Sequence, residues 1–128
     1  MFTKIHHIAI ICSDYNKSKY FYCQILKLSI IKETYRSDRK SFKLDLKLTN
    51  DVNLELFSFE TPPKRQSYPE SCGLRHLAFA VDNIVNVINY LEQNNIECEP
   101  IRIDNITNKK FTFFKDPDNL PLEIYEVN

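Results

Sequence analysis

The segment HIAII at residues 7–11 is repeated as HLAFA at residues 76–80. A second stretch, LELF at residues 54–57, recurs as LEIY at residues 122–125. The histidines that open the first pair are 69 positions apart, and the glutamates of the second pair are 68 apart. Similarity at one fixed offset is the sequence signature of a repeated structural unit. The sequence therefore predicts one unit used twice.

Each copy predicts the same order of elements: an apolar strand, a polar helix N-cap, an amphipathic helix and three more strands. The helix of the second copy is the clearest, because its apolar residues at 84, 87, 88 and 91 follow the spacing of one buried helix face. Ser13 or Asp14 caps the first helix, and Asp82 or Asn83 caps the second. The first copy has strands at 4–12, 28–35, 42–48 and 52–59 with a helix near 15–26, and the second has strands at 74–81, 96–103, 110–115 and 120–127.

A proline-rich segment, residues 61–73, separates the two copies. Pro62, Pro63 and Pro69 exclude regular helix and central strand there. The 128 residues, at roughly 150 per domain, predict a single domain that buries a core without disulfides. We expect a first module at about residues 1–60, the linker at 61–73 and a second module at about 74–128.

Charge and glycine content exclude several function classes. The 17 Lys and Arg residues are balanced by 17 Asp and Glu residues, whereas binding to nucleic acid requires a surplus of cations. Gly73 is the only glycine of the chain. The Rossmann fingerprint, the Walker A loop and the Gly-x-Ser-x-Gly elbow each need at least two glycines. We therefore expect a small-molecule substrate rather than a nucleic-acid partner.

The sequence predicts a cytoplasmic protein without a membrane partner. The start of the chain lacks the basic and apolar regions of a signal peptide, and no apolar run approaches the ~18 residues that span a bilayer. Four cysteines occur without a Cys-x-x-Cys motif, which favours reduced and mostly buried thiols. They are Cys12, Cys23, Cys72 and Cys98.

Four residues of the repeat are candidate metal ligands. Because side chains alternate along a strand, His7 shares a face with Ala9, and His76 shares a face with Ala78. By the same alternation, Glu55 and Glu123 point away from the helix, whereas the neighbouring leucine and isoleucine residues point toward it. Each copy therefore presents one imidazole and one carboxylate on the face that points away from its helix.

A carboxylate on an otherwise apolar strand face is costly unless it is paired or bound to a cation. Two imidazoles and two carboxylates suit Ni, Zn, Co, Mn or Fe and hold too much nitrogen for Ca or Mg. The alternative, in which these are ordinary half-buried strand residues, stays open on this argument alone.

Several longer motifs resemble a known family. The chain carries His-x-Ala-x-x-x-x-Asp from His7 to Asp14, Gly-Leu-Arg-His-Leu-Ala-Phe at 73–79 and Lys-Asp-Pro-Asp-x-x-Pro-Leu-Glu at 115–123. With these motifs the sequence resembles the vicinal oxygen chelate superfamily, and within it the glyoxalase I branch. The resemblance is greatest to short bacterial glyoxalase-like proteins of the YaeR type, and it covers essentially the whole chain.

The resemblance implies an α+β fold of two βαβββ modules, the glyoxalase/bleomycin resistance/dioxygenase fold, with curved sheets around a metal site. It implies a divalent metal held by four ligands, and a homodimer in which each site takes ligands from both subunits. One subunit would supply His7 and Glu55, and the other would supply His76 and Glu123. Asn119 stands where the family usually has glycine, and asparagine tolerates the positive φ that such a turn requires.

The resemblance also implies a lyase that isomerises the hemithioacetal of an α-oxoaldehyde and a thiol. Glu123 would act as the general base, and Glu55 would return the proton. The glutathione-using enzymes carry an arginine and an asparagine where this chain has Ile11 and Phe59, which argues against glutathione as the thiol. Other cations remain for an anionic substrate, and most of them are expected to be solvated: Arg36, Arg39, Lys64, Arg65, Arg102, Lys109 and Lys110.

Other functions of this superfamily remain alternatives. A thiol transferase of the fosfomycin-resistance type, an epimerase and an extradiol dioxygenase use related metal sites. A small-molecule binding protein without metal is the alternative outside enzymes.

Overall fold

The computed structural model describes residues 1–128, which divide into two compact units, Met1–Lys64 and Arg65–Asn128. The boundary between the units falls within the segment that the prolines mark as a linker. Each unit contains one four-stranded sheet and one helical segment. None of the helices is both long enough and apolar enough to cross a membrane.

The sheet of the first unit has the strand order β1-β4-β3-β2. Strands β1 and β4 run parallel, and the other neighbours are antiparallel. The elements are β1 His7–Cys12, α1 Tyr15–Tyr20, a π-helical turn Phe21–Ile25, β2 Ser29–Arg36, β3 Ser41–Lys47 and β4 Asn53–Ser58.

The sheet of the second unit repeats this topology with the order β5-β8-β7-β6. Its first and last strands in the chain, β5 and β8, are again parallel neighbours. The elements are β5 Leu77–Val81, α2 Ile84–Gln93, β6 Arg102–Ile103, β7 Lys110–Lys115 and β8 Pro121–Glu126. The predicted α+β fold of two βαβββ modules is confirmed.

One face of each sheet forms the core. In the first unit Leu44, Leu46, Leu54 and Leu56 are fully buried, and each such leucine stabilises the fold by roughly 1.5–3 kcal/mol. Ile10 and the other alternate residues of β1 lie on the same face, so the intervening residues point to the opposite face. This alternation fixes the direction of the candidate ligands.

Both helices begin at residues that the sequence predicts as caps. The side chain of Asp14 accepts a hydrogen bond from the backbone N–H of Lys17 at 3.1 Å. The side chain of Asn83 accepts one from Asn86 at 3.0 Å. These contacts satisfy N–H groups that have no partner inside the helix.

Three predicted strands are shorter in the structure. The strand predicted at 4–12 begins only at His7, and the strand predicted at 74–81 begins only at Leu77, directly after His76. The strand predicted at 96–103 is wrong except for Arg102–Ile103. Pro100 has no N–H to donate to a ladder. Before Arg102 the segment contacts β7 through the Glu99 N–H, which donates to the Phe113 carbonyl at 2.9 Å, and through the Thr112 hydroxyl, which donates to the Glu99 carbonyl at 2.7 Å.

The first helix also differs from the prediction. Its regular part ends at Tyr20, and a π-helical turn follows in which the Leu26 N–H donates to the Phe21 carbonyl at 2.9 Å. Lys27 then adopts a φ of 64°, which ends the helix.

All four cysteines are free, but the expectation that they are mostly buried is wrong. Cys12 is buried, Cys23 and Cys98 are half-buried, and Cys72 is exposed. Burial raises the pKa of Cys98 to about 11, which suppresses its thiolate at neutral pH.

Candidate metal centre

In the first unit, His7 and Glu55 lie together on the face away from the helix. Glu55 on β4 is paired with Ala9 on the parallel strand β1. Ala9 is two residues after His7, so the side chains of His7 and Glu55 lie on the same face of the sheet. The His7 Nε2 atom is 3.4 Å from Oε2 of Glu55, and the glutamate side chain is only 15% exposed. Since Ala9 carries only a methyl group, the space beside the carboxylate stays open.

The second unit reproduces this pair. Glu123 is paired with Ala78 across β5 and β8, and its side chain is 13% exposed. The His76 Nε2 atom is 3.0 Å from Oε2 of Glu123. Glu123 has no other ionic or hydrogen-bonding partner, so its second carboxylate oxygen is unengaged.

These donor atoms have the spacing that a shared metal ion requires. Nitrogen and oxygen ligands bind at about 2.0–2.2 Å, so neighbouring donors on one ion lie ~3.0–3.5 Å apart. The observed separations of 3.4 and 3.0 Å fall in this range. Each pair therefore has a donor separation compatible with two ligands of one divalent transition metal, and equally with an ion pair.

The structure brings the four predicted ligands together as two pairs, one in each unit. No group of three or more His, Cys, Asp or Glu side chains placed to hold a metal occurs in residues 1–128. That all four residues bind one ion stays a prediction.

The two carboxylates have different surroundings. The strand neighbour of Glu55 is Asp45, and Lys43 reaches both carboxylates, with its Nζ 3.0 Å from Glu55 Oε1 and 3.3 Å from Asp45 Oδ1. The hydrogen bond to Glu55 is the main reason why the pKa of Lys43 is raised. One oxygen of Glu55 therefore faces His7 and the other is bound to an ammonium group.

In the second unit, aromatic side chains replace this charged pair. The strand neighbour of Glu123 is Phe113, whose ring meets His76 edge-on at a centroid distance of 5.2 Å. Phe113 is buried, and Phe111 lies beside it at 6.2 Å. The ion-pair partner of Glu123 is His76, and the guanidinium groups of Arg75 and Arg102 lie over the Phe113 ring at 5.7 and 5.3 Å.

Both candidate histidines are also held at the other ring nitrogen. His7 Nδ1 lies 2.9 Å from Nδ1 of His6, and His76 Nδ1 lies 2.9 Å from Nη1 of Arg75. Because Nδ1 is engaged, Nε2 is the atom that faces the carboxylate. His6 and Arg75 occupy equivalent positions in the repeat, but sequence reasoning did not assign them this role.

A tight turn before β8 sets the position of Glu123. The Asp116 side chain accepts hydrogen bonds from the backbone N–H groups of Asp118 and Leu120, each at 2.9 Å. Asn119 adopts a φ of 65°, which confirms the expectation that asparagine replaces glycine in this turn.

Comparison with known proteins identifies the superfamily to which the chain belongs. Residues 4–124 match the family described as the Glyoxalase/Bleomycin resistance protein/Dioxygenase superfamily, and the chain belongs to that superfamily. It is 58% identical to the uncharacterized protein YwkD of Bacillus subtilis (strain 168) over 122 residues, which cover 95% of each chain. It is 56% identical to the uncharacterized protein YaeR of Escherichia coli (strain K12) over 123 residues, covering 96% of this chain and 95% of YaeR.

A solved structure is also closely similar. A glyoxalase family protein from Enterococcus faecalis is 49% identical, with a TM-score of 0.92 over 98% of both chains. The resemblance to the vicinal oxygen chelate superfamily and to YaeR-type proteins is therefore confirmed.

Proposed function

We propose that this protein is a divalent-metal-dependent lyase of the glyoxalase I type. Its substrate is the hemithioacetal of an α-oxoaldehyde and a thiol other than glutathione. The observation that carries the proposal is the repeated pairing of an imidazole Nε2 with a carboxylate oxygen, at 3.4 Å in one unit and 3.0 Å in the other.

The proposal includes a homodimer with shared sites. His7 and Glu55 of one subunit hold an ion together with the partner subunit's His76 and Glu123. The donor set admits Ni, Zn, Co, Mn or Fe. Membership of the superfamily supports this assembly.

The two glutamates carry the proton transfer. When bound, the divalent ion acts as a Lewis acid toward the vicinal oxygens of the substrate. Glu123 removes the proton from the carbon that bears sulfur; the C–H electron pair forms a C=C bond to the neighbouring carbon, and the carbonyl electron pair moves to its oxygen. Glu55 takes the hydroxyl proton of the sulfur-bearing carbon and delivers it to the neighbouring carbon, as the thioester carbonyl forms. Glu123 gives its proton to the oxygen of the neighbouring carbon, and the product is an α-hydroxy thioester. No atom is gained or lost in this isomerisation.

An assay of several thiols with several metals tests the function. The protein is stripped with a chelator, reloaded with each candidate metal, and supplied with methylglyoxal and glutathione, cysteine or a simple alkyl thiol. We expect thioester formation that requires both the protein and the metal. Protein that binds metal but forms no thioester with any thiol would exclude a glyoxalase I-type lyase.

The choice of thiol gives a separate prediction. Ile11 and Phe59 are 55% and 36% exposed and belong to the end of the ligand-bearing face. The double substitution Ile11→Arg with Phe59→Asn is expected to raise kcat/KM for the glutathione adduct by ~10-fold or more, because it supplies polar partners for the tripeptide.

The control is Ile31→Arg, since Ile31 is equally exposed at 55% but lies on β2. Steady-state kinetics with the glutathione adduct compare the three proteins. Efficient turnover of this adduct by the unsubstituted protein would show that Ile11 and Phe59 do not disfavour glutathione.

A further inference from the structure

Arg36 lies at the end of β2, on the same face of the first sheet as Glu55. It is paired with Ser41 across β2 and β3, and two positions further along β3 Lys43 is paired with Phe57. Directly opposed residues share a face, as do residues two apart along a strand. The guanidinium of Arg36 lies over two aromatic rings, with its carbon 4.8 Å from the centre of Phe57 and 5.9 Å from that of Phe59.

This guanidinium has no anionic partner. One of its terminal nitrogens donates to the Ser41 hydroxyl at 2.6 Å, while its Nε–H is buried and makes no hydrogen bond. A guanidinium carries five N–H donors, and burying one of them without a hydrogen-bond partner is costly. The arginine is therefore incompletely satisfied in the structure.

Two other arginines that stack on aromatic rings are paired with carboxylates. Arg102 lies over Phe111 at 5.1 Å and is 3.5 Å from Glu99. Arg75 lies over Phe113 at 5.7 Å and is 3.5 Å from Glu70. Arg36 differs from both, because it stacks on aromatic rings but forms no ion pair with a carboxylate of the chain.

The nearby ammonium group is already neutralised. Lys43 is bound to Glu55 and Asp45, so it offers little attraction to a third anion. Lys32 and Lys47 share this face, but Arg36 is distinguished from them by its position over two aromatic rings and by its buried Nε–H without a hydrogen bond. Its fork of N–H groups matches the geometry of a carboxylate or a phosphate.

We propose that Arg36 binds a carboxylate or phosphate group at the end of the substrate remote from the reacting carbons, with Phe57 and Phe59 supporting the guanidinium. The proposal rests on the lyase function proposed above and names the class of thiol: one that ends in an oxyanion. Phe57 is two residues from Glu55, a distance of ~7 Å along the strand. The guanidinium lies a further 4.8 Å from the Phe57 ring, so the anion lies on the order of 10–15 Å from the Glu55 carboxylate, within reach of an extended thiol chain.

Calorimetric titration of the metal-free protein tests the anion site directly. Inorganic phosphate and glutarate are the probes, and the stronger of the two shows which oxyanion the site prefers. We expect saturable binding that Arg36→Gln weakens by ~10-fold or more, and that Arg36→Lys weakens less because a lysine keeps the charge but loses the fork. The matched control, Arg102→Gln, removes a stacked arginine already paired with Glu99 and should leave binding unchanged.

NMR on the unsubstituted protein adds a readout that does not depend on a variant. Addition of the preferred probe should shift the Nε–H signal of Arg36 and leave that of Arg102 in place. Binding of neither probe, or equal binding by the unsubstituted protein and Arg36→Gln, would overturn the proposal. Because the titration requires neither metal nor turnover, a missing anion site and an inactive lyase give different results.

Kinetics connect the site to the substrate. The hemithioacetals of 6-mercaptohexanoate and 6-mercaptohexanol have the same length and differ in charge. We expect the carboxylate form to have the lower KM, and we expect Arg36→Gln to remove that preference. An identical preference in Arg36→Gln would show that Arg36 does not bind the substrate anion.

Discussion

Replacement of Glu123 by glutamine is expected to reduce kcat by ~10²–10⁴-fold, the range associated with loss of a general base. An amide has nearly the same shape as a carboxylate but cannot accept the proton from the substrate carbon. Metal affinity should also fall, because a charged ligand becomes neutral. The measurement is kcat at a metal concentration that saturates the variant, with metal affinity determined separately by competition with a chelator.

The control for this prediction lies on the same strand. Glu126 accepts a hydrogen bond from the Ile84 N–H at 2.9 Å, so Glu126→Gln perturbs the start of α2 but not the candidate site. It should keep wild-type kcat and metal affinity. If Glu123→Gln turned over the substrate at the wild-type rate with metal bound, another group would have to be the base.

Mixing two inactive proteins is expected to restore activity. One protein carries His7→Ala with Glu55→Ala, and the other carries His76→Ala with Glu123→Ala. Each alone lacks half of the ligands at every site. In a mixed dimer one site regains all four, because the two subunits of a symmetric dimer contribute equivalent surfaces. Random subunit exchange makes about half of the dimers mixed, and each mixed dimer has one of its two sites intact. About a quarter of the wild-type activity should therefore return.

The controls are the two proteins assayed separately after the same treatment. Subunit exchange is verified by mass spectrometry of differently tagged chains. Verified mixed dimers without activity would contradict a site shared between subunits, even if the lyase itself proved active.

The candidate ligand pairs could be predicted from the sequence because two periodicities act together. The two-residue alternation of a strand places His7 and Glu55 on one face, and the repeat requires His76 and Glu123 to do the same. The structure places each pair within 3.4 Å or less. The cap residues Asp14 and Asn83 were predictable for a similar reason, since N-capping depends on local chemistry.

The surroundings of the ligands were not predictable in this way. The contact between Lys43 and Glu55 depends on the register of β3 against β4, which one strand alone does not determine. The position of the Arg36 guanidinium depends on stacking against Phe57 and Phe59, which are distant in the sequence. From the sequence, Arg36 is one of several cations expected to be solvated.

Segment 96–103 shows where propensity fails. Its apolar residues favour a strand, but Pro100 and the Thr112 hydroxyl divert the backbone from regular pairing. Arg102 and Ile103 pair with β7, and before them one backbone hydrogen bond joins the Glu99 N–H to the Phe113 carbonyl. Competition between a side-chain hydrogen bond and the ladder is not visible in a strand pattern.

Metal titration of the stripped protein tests most directly whether the four residues bind one ion. Isothermal calorimetry with Ni or Zn should give one ion per chain, and each of His7→Ala, Glu55→Ala, His76→Ala and Glu123→Ala should weaken that single binding event. Two independent ions per chain would mean that each pair acts alone. No binding of any divalent transition metal, or binding that none of the four substitutions weakens, would contradict the account.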